Sequence, residues 1–248
     1  MATFLLKKSY QINNLKILEF KDLWGAHGVF TTIRLIGKPG KLVLFNNHFI
    51  NLIKSLKKYK IYSKNIDQTI KTLIRTNIRN NLKYNHLFRI ALTKKLISIS
   101  IRKRSKLSNN FKLEVLNYKR IDPKYKNLQY KYILKKLNSY DATKVDILLV
   151  YKKKILETCT SNLLLVRNNK YYSPKNNCYI GNTIIYLSKK VKINFKDINL
   201  KDIHKFDEIL LIGSGKGVTP VKFIKQYKWK NKSMTGFKRI KKNFELLI

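Results

Sequence analysis

The hydrophobic pattern in the first hundred residues switches between two periods. A β-branched and aromatic run at 29–36 is typical of a strand, and the glycine- and proline-containing turn at 37–40 indicates a hairpin. From residue 48 the apolar residues instead recur every three or four positions, the spacing of one helical face. The pattern in this region therefore predicts strands over 29–36, 41–45, 86–93 and 96–102. It also predicts a helix from residue 48 and a second helix over 66–78.

The second half of the chain shows the same mixture in shorter elements. The pattern predicts helices over 128–137, 183–191 and 236–247, and strands over 145–150, 163–166 and 208–212. Between the halves, 105–111 is polar and basic, and is the candidate linker. We therefore expect a mixed α/β (α+β) protein with an N-terminal α+β subdomain over 1–104 and a C-terminal α/β subdomain over 112–248.

The composition excludes several classes of protein. Hydrophobic residues make up 44% of the 248 residues, which excludes a wholly disordered chain, and 9 Gly and 4 Pro exclude a collagen-like one. The sequence predicts no transmembrane helix and no secretory signal. Two cysteines make neither a disulfide framework nor a four-ligand zinc site, so we expect no metal and a reducing, cytoplasmic location.

The chain is strongly basic, with a formal net charge of +41. Such a charge attracts nucleic-acid phosphates. However, Arg, the residue that base contacts favour, accounts for only 9 of the 54 basic residues, and Lys is spread along the whole chain. Lys, Asn and Ile are also the residues that an A/T-rich genome encodes most readily. We therefore expect non-specific attraction to polyanions at low salt and no specific nucleic-acid function.

Four segments combine residue types that are suited to chemistry. Segment 24–34 places two glycines just before a strand, and 157–163 puts a carboxylate and an amide beside an apolar strand. Segment 178–183 is a turn that opens a helix, and 213–221 is a glycine-rich loop after a buried strand. Turns rich in backbone N–H groups bind anions, so the last two segments are candidates for a phosphate site. Taken singly, each signal is weak.

Together and in this order, the segments resemble the class IV aminotransferase family, the fold-type IV enzymes that use pyridoxal phosphate. The resemblance runs from about Leu23 to the C-terminus. In the first half of the chain, Trp24–Arg34 is similar to the family's Tyr-Gly-x-Gly-x-Phe-Glu-Thr-x-Arg, and His48–Leu52 is similar to His-x-x-Arg-Leu. Lys124–Asn127 resembles the cofactor lysine and the Asn that follows it, and Glu157–Leu164 resembles Glu-x-x-x-x-Asn-Leu/Val-Phe. Tyr179–Ile184 is similar to Leu-Pro-Gly-x-x-Arg, and Gly213–Val221 is similar to Gly-Thr-x-x-x-x-Thr-Pro-Val. The resemblance implies two subdomains with the cofactor cleft between them, and a homodimer.

The resemblance also implies roles for individual residues. Lys124 is the candidate for the covalent bond to the cofactor aldehyde, which needs an amine nucleophile, and Lys126 is the alternative. Glu157 is expected beside the pyridinium nitrogen, because a carboxylate there keeps that nitrogen protonated. The cofactor phosphate is expected to bind the backbone N–H groups of Asn182 and Thr183, the Ser214 hydroxyl and the loop at Gly215. The candidate cofactor-binding residues are therefore Lys124, Glu157, Asn182, Thr183, Ser214 and Gly215.

The sequence departs from the family pattern at several positions. Asn51 stands where the family has an Arg that binds the cofactor phosphate, and Lys54, one helical turn further on, is a candidate replacement. Ile184 replaces another customary Arg, and Tyr179 and Ile180 replace Leu-Pro. These departures leave open a weakened or specialised enzyme.

Two short cues bear on the reaction. Thr31-Thr32 stands where transaminases commonly have Glu-Thr or Glu-Gly, and Glu157-Thr158-Cys159 is similar to the Glu-Cys-Cys of some 4-amino-4-deoxychorismate lyases. Both favour the lyase, with 4-aminobenzoate and pyruvate as products. An aminotransferase for branched-chain or D-amino acids, a non-catalytic descendant and a polyanion-binding protein are the alternatives. In each catalytic case the substrate is a small molecule, and Thr32, Arg89 and Lys94 are the candidate substrate-binding residues.

Overall fold

The computed structural model describes residues 3–248, and these residues divide into two compact units. The first unit comprises the residues up to Ser105 together with Tyr125–Lys131, and the second comprises Lys106–Lys124 and Tyr132–Ile248. The chain therefore leaves the first unit, returns to it for seven residues, and leaves it again. No helix within residues 3–248 is long and apolar enough to cross a membrane.

The first unit is built on one antiparallel sheet. Its strands are β1 (Phe4–Gln11), β2 (Ile17–Leu18), β3 (Val29–Gly37), β4 (Lys41–Leu42), β5 (Tyr84–Leu92) and β6 (Leu96–Lys103), and its helices are α1 (Phe45–Lys58) and α2 (Ile66–Asn77). The strand order is β2-β1-β6-β5-β3-β4.

The two faces of this sheet differ in chemistry. Because side chains alternate along a strand, the odd-numbered residues of β3 share one face, and there Leu35 packs with Leu56 of α1 and Ile70 of α2 in the hydrophobic core. The even-numbered residues of β3 lie on the other face, where Thr32 is the direct cross-strand partner of Arg89. The candidate substrate-binding residues Thr32 and Arg89 therefore lie side by side on the face opposite the helices.

The returning segment Tyr125–Lys131 is held by backbone hydrogen bonds. The Phe30 N–H donates to the Lys126 carbonyl over 2.9 Å, and the Leu128 N–H donates to the Gly28 carbonyl over 2.9 Å. Gly28 allows this approach, since a β-carbon there would lie 2.3 Å from the Leu92 carbonyl oxygen and 2.6 Å from Leu128 Cδ1. The segment thus fixes the glycine-containing loop that precedes β3.

The second unit contains two sheets. Its strands are β7 (Lys112–Asn117), β8 (Val145–Tyr151), β9 (Lys154–Thr158), β10 (Asn162–Arg167), β11 (Lys170–Ser173), β12 (Ile193–Phe195), β13 (Ile198–Asn199), β14 (Glu208–Gly213), β15 (Gly217–Pro220), β16 (Phe223–Ile224) and β17 (Trp229–Lys230), and its α-helices are α3 (Lys131–Leu137), α4 (Asn182–Ser188) and α5 (Thr235–Glu245). The sheet orders are β12-β11-β10-β14-β15 and β13-β9-β8-β7-β16-β17.

Strand β10 is buried on both faces, which explains its uninterrupted apolar sequence. Leu163 and Leu165 belong to the core that includes Leu148 of the six-stranded sheet. Leu164 and Val166 belong to the core that includes helices α4 and α5. A strand covered on both faces has no polar alternation, and its two ends are therefore held rigidly.

Within residues 3–248, the hydrophobic pattern located the five α-helices and seven of the seventeen strands, did not predict β1 or β7, and misplaced several ends. The strand predicted over 41–45 is only two residues long, because α1 begins at Phe45 after Leu44 adopts a left-handed conformation with φ of 56°. The helix predicted over 128–137 begins at Lys131, because the backbone of Leu128 is bonded to the loop before β3. The helices predicted over 183–191 and 236–247 end at Ser188 and Glu245.

Candidate active site

Glu157 lies near the end of β9, buried, with only 5% of its surface exposed. The Arg120 Nε donates to Glu157 Oε1 over 2.7 Å, and Arg120 is itself 2% exposed. The Tyr179 N–H donates to Glu157 Oε2 over 3.3 Å. A buried carboxylate needs a countercharge and hydrogen bonds, and Arg120 and the Tyr179 amide supply them.

Arg120 also contacts the turn that leads to Lys124. One of its terminal nitrogens donates to the Pro123 carbonyl over 2.9 Å, so a single guanidinium joins Glu157 to the residue before Lys124. Lys124 itself is exposed, whereas a lysine that reacts as a nucleophile is normally desolvated in a pocket. Lys126 belongs to the first unit, where its ammonium lies 5.4 Å from the centre of the Phe30 ring. Of the two lysines, only Lys124 lies in the unit that contains Glu157.

Asn162, the first residue of β10, holds the turn that precedes α4. Its side-chain amide donates to the Tyr179 carbonyl, and its Oδ1 accepts from the Gly181 N–H over 2.9 Å. A β-carbon at Gly181 would lie 2.6 Å from Asn162 Oδ1, so only glycine fits there. The next two residues, Asn182 and Thr183, are buried and begin α4.

The glycine-rich loop between β14 and β15 contains Ser214 and Gly215, both half-buried. Lys216 of this loop is 8% exposed, and its ammonium lies 3.7 Å from Oδ2 of the fully buried Asp146 on β8. The same ammonium donates to the Ala142 carbonyl over 3.3 Å. This buried ion pair ties the loop to the six-stranded sheet.

Asp146 also contacts the turn between β9 and β10. The hydroxyls of Thr158 and Thr160 donate to its Oδ2 over 2.9 and 2.6 Å. One carboxylate therefore fixes both the glycine-rich loop and the turn that follows Glu157.

The Ser161 hydroxyl in this turn is buried and has no hydrogen-bond partner among residues 3–248. Its neighbours in the turn are well bonded, since the Ser161 N–H donates to the Thr158 hydroxyl over 3.0 Å. Ser161 Oγ lies 3.6 Å from where a β-carbon at Gly213 would stand, at the start of the glycine-rich loop.

The two cysteines flank this region and are both buried and free. Burial raises the pKa of Cys178 to about 12, and the negative charge of Glu157 adds to the effect. Burial likewise raises the pKa of Cys159. Both are therefore neutral thiols at pH 7 and are poor nucleophiles.

The candidate substrate-binding residues of the first unit do not all lie together. The Arg89 guanidinium stacks 3.9 Å from the centre of the Trp24 ring and donates to the Asp22 carbonyl over 2.8 Å. Burial lowers the pKa of Arg89 to about 10, with Asp22 opposing the shift and Arg102 adding to it, so Arg89 is charged at pH 7. Lys94 lies instead in the exposed turn between β5 and β6.

Other residues highlighted by the sequence lie on helix α1. Asn51 is half-buried, and its carbonyl accepts from the Ser55 hydroxyl, whereas Lys54 is exposed. His48 is buried and its Nδ1 lies 2.9 Å from the Thr31 hydroxyl. Thr31 therefore faces the helix, and Thr32 faces away from it.

Sequence reasoning missed Arg120, Asp146, Ser161 and Lys216. A signal was available for two of them: Arg is scarce, and Arg120 stands four residues before Lys124, while Asp146 is one of only 13 acidic residues and begins a buried apolar run. Lys216 and Ser161 lie in the highlighted segments 213–221 and 157–163, but no residue pattern distinguishes them from their neighbours there.

Comparisons with known proteins identify the family of the chain. The model of the family described as amino-transferase class IV matches residues 28–224. The sequence matches none of the curated proteins.

Solved structures resemble the chain in fold at low sequence identity. Branched-chain amino acid aminotransferase from Escherichia coli has a TM-score of 0.76 at 18% identity, covering 100% of this chain and 94% of that one. 4-Amino-4-deoxychorismate lyase from Pseudomonas aeruginosa has a TM-score of 0.74 at 15% identity, covering 97% and 98%. A hypothetical aminotransferase from Mycobacterium tuberculosis in its pyridoxal-phosphate-bound form has a TM-score of 0.73 at 12% identity, covering 98% and 99%.

The mixed α/β fold matches these structures, which confirms the fold class expected from the sequence. The family model spans most of the chain and confirms the resemblance on which the cofactor prediction rests. The chain therefore belongs to the class IV aminotransferase family, whose members are pyridoxal-phosphate-dependent enzymes.

Proposed function

We propose that the protein is a 4-amino-4-deoxychorismate lyase, which converts its substrate into 4-aminobenzoate, a folate precursor, and pyruvate. The observation that supports this reaction most directly is the basic row on the sheet of the first unit. Arg89 is the cross-strand partner of both Thr32 and Ser100, and Arg102 is close enough to influence its charge. The proposed substrate has two carboxylates, whereas a branched-chain amino acid has one, so a second nearby cation favours the former.

The residues of the second unit fit pyridoxal phosphate by the chemistry of their donors and acceptors. Glu157 offers a buried carboxylate with Arg120 as its countercharge, suited to a protonated ring nitrogen. Ser214 and Gly215 offer a hydroxyl and close backbone approach, suited to a phosphate. When bound, the cofactor supplies an electron sink for the electrons released at the substrate carbon.

We propose a role for each of these side chains. We assign Lys124 to bind the cofactor and to move the proton from the substrate carbon that carries the amine. Glu157 holds the proton on the ring nitrogen, and Arg120 holds Glu157 and the turn before Lys124. Arg89 and Thr32 orient the substrate carboxylates. The reaction needs no other reactant, because the atoms of 4-aminobenzoate and pyruvate together equal those of the substrate.

An aminotransferase for branched-chain or D-amino acids is the second candidate. Trp24, Phe30 and Tyr130 form an aromatic cluster with ring centres 4.9–5.7 Å apart, which would suit an aliphatic side chain. The aromatic cluster lies beside Arg89. The cluster would then bind the apolar side chain of the substrate, and Arg89 would bind its single carboxylate.

Product analysis separates the two candidates. The purified protein, loaded with pyridoxal phosphate, is incubated with 4-amino-4-deoxychorismate, and 4-aminobenzoate and pyruvate are quantified. The lyase assignment requires both products in equal amounts. Formation of glutamate from 2-oxoglutarate and a branched-chain or D-amino acid, without 4-aminobenzoate, would show the aminotransferase instead.

The lysine assignment is tested by borohydride reduction followed by peptide mapping. We expect the cofactor on a peptide labelled at Lys124, and no labelling in Lys124→Ala. Lys126→Ala is the matched control, because it removes a lysine two residues away in the other unit, and it should still be labelled. Labelling only at Lys126 would contradict the assignment but not the family.

We also propose, from family membership, a cytoplasmic homodimer. Light scattering of the purified protein at physiological salt gives the mass, which should be twice 29.4 kDa. A monomer under those conditions would contradict this.

A further inference from the structure

We propose that the Ser161 hydroxyl is a further binding residue for the cofactor phosphate, an inference that rests on the proposed use of pyridoxal phosphate. Ser161 is 8% exposed, and its hydroxyl has no hydrogen-bond partner among residues 3–248. Buried hydroxyls in proteins are normally hydrogen-bonded, because an unbonded one loses its contacts with water and gains nothing in return. The unbonded Ser161 hydroxyl therefore points to an acceptor that comes from a ligand.

The Ser161 hydroxyl does not lack a partner because its loop is poorly fixed. Its backbone is fixed on both sides, since the Ser161 N–H donates to the Thr158 hydroxyl and the Thr158 N–H donates to the Ser161 carbonyl over 2.9 Å. The neighbouring Thr158 and Thr160 hydroxyls both donate to Asp146. In a turn where the other hydroxyls are bonded within the protein, only that of Ser161 is left for a ligand.

The position of the Ser161 hydroxyl indicates which group of the ligand it would bind. A β-carbon at Gly213 would lie 3.6 Å from Ser161 Oγ, so the hydroxyl faces the start of the glycine-rich loop. That loop contains Ser214 and Gly215, the residues to which we assign the phosphate. Two hydroxyls, one from each loop, would then donate to the same anionic group, and hydrogen bonds to charged groups are the stronger ones.

The test compares Ser161→Ala with wild type in two measurements, the melting temperature of the apoprotein and the affinity for pyridoxal phosphate. If the hydroxyl had only a structural role, the substitution would lower both. Removing a hydroxyl that has no protein partner should leave the melting temperature of the apoprotein unchanged or raise it. The same change should weaken pyridoxal phosphate binding about ten-fold or more. Thr160→Val is the matched control, because its hydroxyl is bonded to Asp146, and it should lower the melting temperature of the apoprotein.

Two further titrations identify the bound group. Binding of pyridoxal, which lacks the phosphate, should be the same in wild type and Ser161→Ala. Binding of inorganic phosphate to the apoprotein, at about 0.3 M salt to suppress non-specific attraction to the basic surface, should be weaker in Ser161→Ala. An equal loss for pyridoxal and pyridoxal phosphate would place the contact on the ring and overturn the proposal.

The remaining outcomes are equally decisive. Unchanged affinity for pyridoxal phosphate, or a fall in melting temperature that accompanies the loss of affinity, would also overturn it. Failure of the proposed lyase reaction is distinguishable, because wild type would then bind the cofactor and phosphate but form no 4-aminobenzoate. A wild type that binds neither cofactor nor inorganic phosphate would overturn both.

Discussion

The Arg120 guanidinium is bonded to the Glu157 carboxylate on one side and to the Pro123 carbonyl on the other. Removing one partner of a buried ion pair leaves the other charge without compensation, at a cost of about 3–5 kcal/mol. We therefore expect Arg120→Met to lower the free energy of unfolding of the apoprotein by about that amount, as measured in urea. The double variant Arg120→Met with Glu157→Gln should recover part of the loss, since it removes both charges. A loss under about 1 kcal/mol in the single variant would contradict this role.

His48 gives the stability of the protein a specific dependence on pH. Burial lowers its pKa from 6.5 to about 3, and the nearby charge of Lys126 adds to the shift. Between those two values the unfolded chain binds a proton that the folded protein does not, so this contribution to stability is complete above about pH 6.5 and is lost as the pH falls toward 3.

The variant His48→Gln tests this dependence, because it keeps a side chain that can bond Thr31 but cannot titrate. The unfolding free energy of wild type should fall more steeply with decreasing pH, by up to about 1.4 kcal/mol per pH unit. Urea titrations at pH 7, 6, 5 and 4 give both slopes, and His204→Gln, at an exposed position of the second unit, is the control. Equal slopes in wild type and His48→Gln would contradict the assignment.

At the residue scale, the sequence predicted the candidate residues that belong to spaced patterns. Glu157 and Asn162 were found because their spacing of five is set by one short turn. Arg120 was not found, because its partner Glu157 is 37 residues away and only the pairing of β7, β8 and β9 brings the two together. The Ser161 hydroxyl is distinguished by having no hydrogen-bond partner within residues 3–248, and that property exists only in three dimensions.

Among the elements that it located, the hydrophobic pattern predicted the interior better than the ends. The four apolar residues 163–166 identified β10 because two cores bury them from both sides. Residues 128–130 continue the helical pattern of α3, yet hydrogen bonds between Leu128 and the loop of Gly25 and Gly28 keep them in a turn outside the helix. Such long-range backbone contacts are not encoded in local periodicity.

The contact between β8 and the loop that connects β14 to β15 depends on one ion pair. Lys216→Met would leave Asp146 fully buried without its cation, and we expect a loss of about 3 kcal/mol in unfolding free energy. Adding Asp146→Asn should restore part of it, since the uncompensated charge is then removed. Urea unfolding of the single and double variants measures both, and a double variant no more stable than Lys216→Met would argue against the pair.

At the scale of the whole molecule, the net charge of +41 is expected to attract polyanions without selecting among them. We expect DNA binding at low salt that falls steeply as salt increases, with the same slope for unrelated sequences. Fluorescence anisotropy with two duplexes of equal length, at 50 and 200 mM salt, measures this. Selective binding of one duplex that persists at the higher salt would contradict it.

The passage of the chain between its two units also sets the order in which they can be completed during synthesis. The glycine-containing loop before β3 bonds to residues 126 and 128, so the first unit lacks part of its backbone pairing until residue 131 has been made. By then the ribosome has already produced β7, a strand of the second unit. A chain that stops at the polar segment near residue 105 would therefore release a sheet without its last seven-residue segment. A cut after residue 131 would instead take β7 away from its sheet in the second unit, so neither cut leaves both units whole.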